Sequence, residues 1–134
     1  MSKIKVYSNI ELKKAHPSDA AYDIVASETI DLYEDGNDTI NTGLRMAIPY
    51  GYCGILKSRS GLARLGITVE GGVIDAGYRG EVKVILRSSI RYTVSKGDRI
   101  AQLMIVPVPD VEFELTDELP SADRGDNGFG STGA

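Results

Sequence analysis

A short segment, Arg59-Ser60-Gly61-Leu62-Ala63, has the composition of an anion-binding turn at the start of a short helix. Backbone amides point outward where a helix begins, and the helix dipole favours a negative charge there. Ser60 adds a hydroxyl donor, Arg59 adds a fork of N–H donors, and Gly61 lets a ligand approach the backbone closely. The segment therefore predicts a phosphate site, and the alternative is an ordinary capped turn with a surface arginine.

A second segment, Gly71 to Val82, is rich in glycine and has Asp75 near its centre. We expect a glycine-rich hairpin whose bare backbone can bring N–H and C=O groups against a planar ligand. Asp75 follows apolar and small residues, so we expect its carboxylate to be partly shielded from water and able to act as a general base. A turn aspartate that accepts bonds from backbone amides is the alternative.

Two further polar residues lie beside or within apolar runs. Asp23 follows Ala21-Tyr22 at the start of an apolar strand, where it could help to hold a hydrated Mg²⁺ or simply end a turn. Gln102 is a lone amide within the apolar run Ile100 to Val108. A buried amide needs hydrogen-bond partners, so we expect Gln102 to belong to a site.

The C-terminal residues 121–134 differ in composition from the rest of the chain. They contain four glycines and one large apolar residue, Phe129, which is too little to order them by burial. A frayed tail is one interpretation. The other is an arm that wraps a phosphate, because Arg124 and Phe129 lie among glycines and hydroxyls. We therefore divide the chain into a folded domain, residues 1–120, and a flexible arm, residues 121–134.

The rest of the chain consists of short apolar segments separated by turn residues. The predicted strands are Ile4 to Val6, Tyr22 to Ala26, Leu44 to Ile48, Gly54 to Leu56, Ile67 to Val69, Val82 to Leu86, Ile100 to Val108 and Val111 to Leu115. Many short strands at this spacing predict an all-β sandwich or barrel. Only Ser60 to Leu65 could form a helix, with Ser60 as its N-cap.

Composition narrows the classes of function. A chain of 134 residues fits one domain, and a net charge of −4 without a basic stripe argues against general nucleic-acid binding. No stretch approaches the ~20 apolar residues of a membrane span, and Met1 to Tyr7 lack the apolar core of a signal peptide. Cys53 is the only cysteine, which suits a reducing compartment. We expect an intracellular protein, cytoplasmic or nuclear, including the interior of a virus-infected cell.

Five segments, in this order along the chain, resemble the five motifs of the trimeric dUTPase family. They are Ala21-Tyr22-Asp23; Arg59-Ser60-Gly61-Leu62-Ala63; Gly72-Val73-Ile74-Asp75 with Tyr78-Arg79-Gly80; Gly97-Asp98-Arg99-Ile100-Ala101-Gln102-Leu103; and Arg124 with Gly128-Phe129-Gly130-Ser131-Thr132-Gly133. Their order and rough spacing match over nearly the whole chain. Ala21, Ser58 and Gly77 depart from the family's usual glycine, proline and acidic residue, and Ser58 and Gly77 are expected to loosen the local backbone.

The resemblance implies a jelly-roll-like β-barrel in a homotrimer, with active sites at the subunit interfaces. The implied reaction is the hydrolysis of dUTP to dUMP and pyrophosphate with Mg²⁺, which keeps uracil out of DNA and supplies dUMP. Asp75 would activate the water that attacks the α-phosphorus. Arg59, Ser60 and Gln102 would stabilise the developing charge, and Asp23 would hold the hydrated Mg²⁺ through water.

The same resemblance assigns the substrate contacts. The backbone around Gly72 would read uracil, Tyr78 would lie against the deoxyribose, Phe129 would stack on uracil, and Arg124 would reach the γ-phosphate. The full implied binding set is Arg59, Ser60, Gly61, Gly72, Val73, Ile74, Asp75, Tyr78, Gln102, Arg124, Phe129, Gly130 and Ser131. The alternatives are a dCTP deaminase-like enzyme on a related trimeric fold and a non-catalytic nucleotide-binding regulatory trimer.

Overall fold

The computed structural model describes residues 3–129, which form ten strands and one short helix. The elements are β1 (Lys5–Tyr7), β2 (Tyr22–Val25), β3 (Ile30–Leu32), β4 (Gly36–Ala47), β5 (Tyr52–Lys57), α1 (Ser60–Arg64), β6 (Ile67–Glu70), β7 (Val73–Ile74), β8 (Val82–Ser88), β9 (Tyr92–Val94) and β10 (Arg99–Pro107). The prediction of an all-β fold is confirmed. Within the described residues, no helix is long and apolar enough to cross a membrane.

The strands form three antiparallel sheets rather than one closed barrel. Their orders are β1-β4-β8-β6, β2-β10-β5-β7 and β3-β9. In β8, residues alternate strictly between buried and exposed, as expected for a strand with one face on a core. The three sheets share one core, which includes Ile24, Leu32, Ile40, Leu44, Leu56, Ile67, Ile74, Val84, Leu86, Val94 and Leu103. This arrangement agrees with the jelly-roll-like fold.

The pair Gly71-Gly72 carries the chain from one sheet to another. β6 pairs with β8, whereas β7 pairs with β5 in the second sheet. The predicted hairpin over Gly71 to Val82 is wrong, because β7 pairs with β5 and β8 pairs with β4 and β6, so β7 and β8 do not pair with each other. Both glycines have positive φ, +71° and +115°, and a Cβ at Gly72 would lie 2.9 Å from the Leu56 carbonyl oxygen. Only glycine fits this corner without strain.

Three other expectations differ from the structure. β3 and β9 are additional strands, and β4 begins at Gly36, well before the predicted Leu44. The predicted strand Val111 to Leu115 is wrong, because this segment is exposed and pairs with no strand in the described part of the chain. Its alternation of apolar residues and glutamates is typical of a β-strand. Within the described part of a single copy, however, the segment pairs with no sheet edge.

Candidate active site

One group of predicted residues lines a cleft of about 580 Å³, which we call the arginine cleft. Its polar lining residues are Asp19, Asp23, Lys57, Ser58, Arg59, Ser60 and Gln102. The strand register explains the grouping, because Gln102 on β10 lies directly opposite Asp23 on β2 and Lys57 on β5. Residues that face each other across antiparallel strands project on the same side of the sheet. Three strands thus place these three side chains in one row.

Charge in the arginine cleft is organised around Asp23. Its two carboxylate oxygens lie 3.9 Å from Arg59 Nε and 3.9 Å from Arg99 Nη1. Arg59 Nη1 also donates to the Arg99 carbonyl oxygen at 3.2 Å. Two guanidinium groups beside one carboxylate leave a net positive charge around Asp23, at the edge of the cleft, which suits an anionic ligand. The sequence pattern alone does not indicate this position for the Arg99 side chain.

Ser58 and Gln102 are linked by a hydrogen bond beside the Arg59-Ser60 turn. Gln102 Nε2 donates to the Ser58 carbonyl oxygen at 2.9 Å, which confirms that this amide has a partner. The Ser58 hydroxyl accepts a hydrogen bond from Val69 N, also at 2.9 Å. The Ser58 side chain therefore ties the turn to β6.

The helix begins one residue earlier than an N-cap at Ser60 would place it. Arg59 is the N-cap, with extended backbone angles, and Ser60 is the first helical residue. The N-cap role predicted for Ser60 is therefore wrong, and the cap has no side-chain hydrogen bond. Ser60 is exposed and lines the arginine cleft. Gly61 is exposed beside it, and a Cβ there would meet nothing within 4 Å.

A second group of predicted residues lines a separate cleft of about 260 Å³, which we call the glycine cleft. Its lining residues include Gly72, Val73, Ile74, Asp75, Tyr78 and Glu81. Asp75 is exposed in the single copy, so the predicted shielding of its carboxylate from water is wrong for one chain alone. β7 is the last strand of its sheet, and its outer edge therefore presents backbone N–H and C=O groups to a ligand.

Tyr78 is held at the mouth of the glycine cleft. Its backbone N–H donates to the Asp75 carbonyl oxygen at 3.1 Å, and its hydroxyl donates to the Glu81 carbonyl oxygen at 2.7 Å. The ring lies over Gly80, where a Cβ would come within 2.6 Å of the tyrosine oxygen. Gly80 is therefore required by the position of the ring. Gly77 is exposed and has open space around it, so a larger residue would fit there.

The structure does not bring the two clefts together within one copy. No described residue lines both clefts. Gln102 pairs with Lys57 on β5, whereas Ile74 pairs with Gly54 on the far side of β5. Two strand spacings and three residues along β5 separate Gln102 from Ile74, which is roughly 10 Å in each direction. The chain then continues from Ile74 to Asp75 away from Gln102, so the Asp75 carboxylate lies far beyond hydrogen-bond reach of it.

The arm forms a local turn outside both clefts. Gly125 N donates to the Ala122 carbonyl oxygen at 3.1 Å, and Asn127 N donates to the Arg124 carbonyl oxygen at 3.1 Å. Arg124 Nε donates to the Asn127 carbonyl oxygen, so the guanidinium folds back onto its own turn. Phe129 is fully exposed. The predicted contacts of Gly130 and Ser131 lie outside the described residues.

The donor set of the arginine cleft fits a magnesium ion that arrives with a triphosphate. Two carboxylates, Asp19 and Asp23, line this cleft. In residues 3–129, no group of three or more histidine, cysteine, aspartate or glutamate side chains is placed to hold a metal. Mg²⁺ usually keeps several waters and is bound by one or two carboxylates together with substrate phosphates. The cleft suits that mode and does not suit an all-protein cage.

Comparison with known proteins extends these observations. A family model described as dUTPase matches residues 8–133. The chain is similar to the deoxyuridine 5'-triphosphate nucleotidohydrolase of Leifsonia xyli subsp. xyli, with 43% identity over 125 residues that cover 89% of this chain and 82% of that protein.

Two solved structures are also similar to this chain. The dUTPase of Staphylococcus bacteriophage 80alpha with dUpNHpp has a TM-score of 0.91 and 31% identity, with 100% of both chains covered. A mutant dUTPase of phage phi11 of S. aureus has a TM-score of 0.80 and 28% identity, over 87% of this chain and 98% of that chain. The latter is described as showing the coordination of a structural Mg(II) ion. The family match spans the residues of both clefts and Arg124 and Phe129 of the arm.

Proposed function

The chain belongs to the dUTPase family and is a dUTP diphosphatase, and we propose that its active site is shared between copies in a homotrimer. The arginine cleft of one copy would hold the triphosphate, the glycine cleft of a second copy would hold the nucleoside, and the arm of a third copy would close the site. The separation of the two clefts within one copy carries this proposal, because hydrolysis needs Asp75 beside the phosphate.

Exposed apolar residues support the assembly. In the extended segment after β10, Val111, Phe113 and Leu115 are 63%, 90% and 99% exposed, and they alternate with glutamates. A row of large apolar side chains in water indicates a surface that another protein chain covers. Light scattering on active enzyme should give about three times the chain mass of 14.4 kDa. A fully active monomer would contradict the shared site.

Uracil would bind along the outer edge of β7. The outward-facing backbone N–H and C=O groups of the segment from Gly72 to Tyr78, which includes Val73 and Ile74, would pair with the ring edge of uracil. The Gly72 carbonyl oxygen accepts a hydrogen bond from Leu56 N at 2.8 Å and so holds this segment against β5. Cytosine presents the opposite order of donors and acceptors at this edge. Its binding would leave buried polar groups unpaired, which can cost roughly 10⁴-fold in specificity.

Hydrolysis would begin at Asp75. Its carboxylate would take a proton from water as the water oxygen forms a bond to the α-phosphorus. The bond from that phosphorus to the bridging oxygen breaks, which gives dUMP and pyrophosphate. Arg59, Ser60 and Gln102 of the neighbouring copy would stabilise the charge on the phosphoryl oxygens, since phosphoryl transfer depends mainly on positioning and electrostatics.

The remaining groups would close and complete the site. Asp23 would hold hydrated Mg²⁺ through water, and the bound ion would neutralise charge on the phosphates. Tyr78 would lie against the deoxyribose and leave no room for a 2′-hydroxyl. Phe129 would stack on uracil, Arg124 would reach the γ-phosphate, and Gly61, Gly130 and Ser131 would complete the binding set. We also propose that the protein lies in a reducing intracellular compartment, as expected from its lone cysteine, Cys53.

One assay tests the substrate. Phosphate release in the presence of pyrophosphatase should be fast with dUTP and Mg²⁺ and slow with dCTP, dTTP and UTP. Ammonia release from dCTP would instead support the deaminase alternative. Tight binding of dUTP without turnover would support the non-catalytic regulatory trimer.

A further inference from the structure

We propose that Glu81 is a positioning residue that fixes Tyr78 and thereby sets the preference for deoxyribose over ribose. This inference rests on the proposed contact of Tyr78 with the sugar. The resemblance to the dUTPase motifs assigns Glu81 no role. The inference follows from two contacts of Glu81. Its carboxylate accepts hydrogen bonds from β4, and its backbone carbonyl accepts one from Tyr78.

The carboxylate end is anchored at an irregularity of β4. Pairing between β4 and β8 shifts register between Asn41 and Leu44, so the intervening amides leave the ladder. Glu81 Oε2 accepts hydrogen bonds from both of these amides, Thr42 N at 3.2 Å and Gly43 N at 2.8 Å. One carboxylate oxygen thus satisfies two backbone donors, and the start of β8 is tied to the bulge.

The backbone end of Glu81 is the acceptor that fixes the tyrosine. Tyr78 Oη donates to the Glu81 carbonyl oxygen at 2.7 Å, and the ring lies directly over Gly80 between them. A displacement of the Glu81 backbone therefore moves the hydrogen-bond partner of the ring. Since a 2′-hydroxyl adds only one oxygen atom to the sugar, its exclusion depends on a small and fixed clearance beside the ring.

A second hydrogen bond links the Tyr78–Glu81 segment to β4. Arg45 on β4 donates through Nε to the Arg79 carbonyl oxygen at 3.0 Å. This bond does not involve Glu81, so the segment stays attached to β4 when the carboxylate is removed. Loss of the Glu81 carboxylate should therefore loosen the ring rather than unfold the cleft.

The test is the ratio of kcat/KM for dUTP to kcat/KM for UTP. Glu81→Ala should lower this ratio by about tenfold, which lies within the roughly 10²-fold loss that a misplacement near 1 Å can cause. Glu81→Gln keeps an acceptor oxygen for Gly43 N and should restore most of the ratio. Thermal unfolding of each variant is measured in parallel.

Glu28 provides the matched control. Its carboxylate is also half-buried and accepts bonds beside the same bulge, from Asn41 N at 3.4 Å and Asn41 Nδ2 at 3.2 Å. Glu28→Ala should lower the melting temperature in the same way as Glu81→Ala and leave the dUTP/UTP ratio unchanged. An equal fall of the ratio in both variants, or an unchanged ratio in Glu81→Ala, overturns the positioning role.

Two tyrosine variants separate this inference from the proposal on which it rests. If Tyr78→Ala leaves the ratio unchanged, the sugar contact is wrong and the role of Glu81 fails with it. If Tyr78→Ala lowers the ratio and Glu81→Ala does not, only the role of Glu81 fails. Should Glu81→Ala not fold, Tyr78→Phe removes the same hydrogen bond, and a wild-type ratio in that variant overturns the inference.

Discussion

The arginine cleft and the glycine cleft bind through different parts of the chain. The arginine cleft presents side chains from three neighbouring strands and the α1 turn, and two guanidinium groups lie beside one carboxylate. The glycine cleft presents mainly backbone, at a corner where a side chain on Gly72 would collide with the Leu56 carbonyl. The charged groups of the arginine cleft suit a triphosphate, which many nucleotides share. The fixed backbone groups of the glycine cleft suit the base and the sugar, which distinguish dUTP from other nucleotides.

This contrast predicts different consequences of mutation. Changes in the arginine cleft should lower turnover of every nucleotide alike, because they remove electrostatic stabilisation. Changes around the glycine cleft should alter the choice of nucleotide. Asp75 is the exception, since it lies in the glycine cleft and is proposed to do chemistry.

The largest effect is expected for Asp75→Asn, because it removes the proposed general base without changing the size of the side chain. Turnover of dUTP should fall by roughly 10²–10⁴-fold while binding of a non-hydrolysable analogue is kept. Single-turnover kinetics and calorimetry measure the two quantities. Asp110→Asn, at an exposed position after β10, is the control and should behave as wild type. Near-normal turnover in Asp75→Asn would show that Asp75 is not the general base.

A mixing experiment tests whether the two clefts of one site come from different copies. Asp75→Asn and Gln102→Ala chains should each be nearly inactive alone. After denaturation and refolding together in equal amounts, about one quarter of the shared sites should combine an intact Asp75 with an intact Gln102. Activity should recover to that fraction of the wild-type value. No recovery in trimers that contain both chains would place the two residues in the same copy.

Removal of the arm should cost activity without costing stability. A stop codon before Arg124 deletes Arg124 and Phe129, which line neither cleft in the single copy. The melting temperature and trimer mass should stay nearly unchanged, and turnover should fall by at least roughly 10²-fold, the usual effect of losing one stabilising donor. Phe129→Ala alone should lose a stacking contribution of about 1–3 kcal/mol. Full activity after truncation would support the alternative interpretation of residues 121–134 as a frayed tail.

The smallest effect is expected for Ser58→Ala. This change removes the acceptor of the Val69 N–H and leaves the Ser58 carbonyl, which accepts from Gln102, in place. The free energy of unfolding should fall by about 1–3 kcal/mol, the cost of an unsatisfied amide. Turnover should fall a few-fold for all nucleotides, with the dUTP/UTP ratio unchanged. A changed ratio would mean that the arginine cleft also selects the sugar.

The two clefts also differ in how far the sequence predicts them. Asp23, Arg59, Ser60 and Gln102 are proposed to act through their side chains, so their residue types alone indicate the chemistry they can do. The Glu81 carboxylate accepts hydrogen bonds from amides 39 and 38 residues away in the chain, and its carbonyl accepts one from Tyr78. No local pattern indicates either contact, because the bulge that needs the carboxylate arises only when β4 pairs with β8.

Strand prediction failed for similar physical reasons. β3 and β9 have three residues each, which is too short for periodicity to be visible. Gly71-Gly72 indicates a turn, but the residues that flank a turn do not reveal whether the strands on either side pair with each other. The exposure of Asp75 could not be predicted either, because burial at this position depends on a neighbouring copy in the proposed trimer.

The length of the segment between β10 and Arg124 has a consequence for how the site closes. β10 ends at Pro107, and the chain up to Arg124 can span at most roughly 60 Å when extended. A compact domain of this size is roughly 35 Å across, so the arm can reach over a neighbouring copy. A tether of this kind keeps the arm at a local concentration on the order of millimolar. In the proposed trimer, closure is an intramolecular event that dilution of the intact trimer does not weaken, and a free peptide of residues 121–134 should rescue the truncated enzyme only at about millimolar concentration.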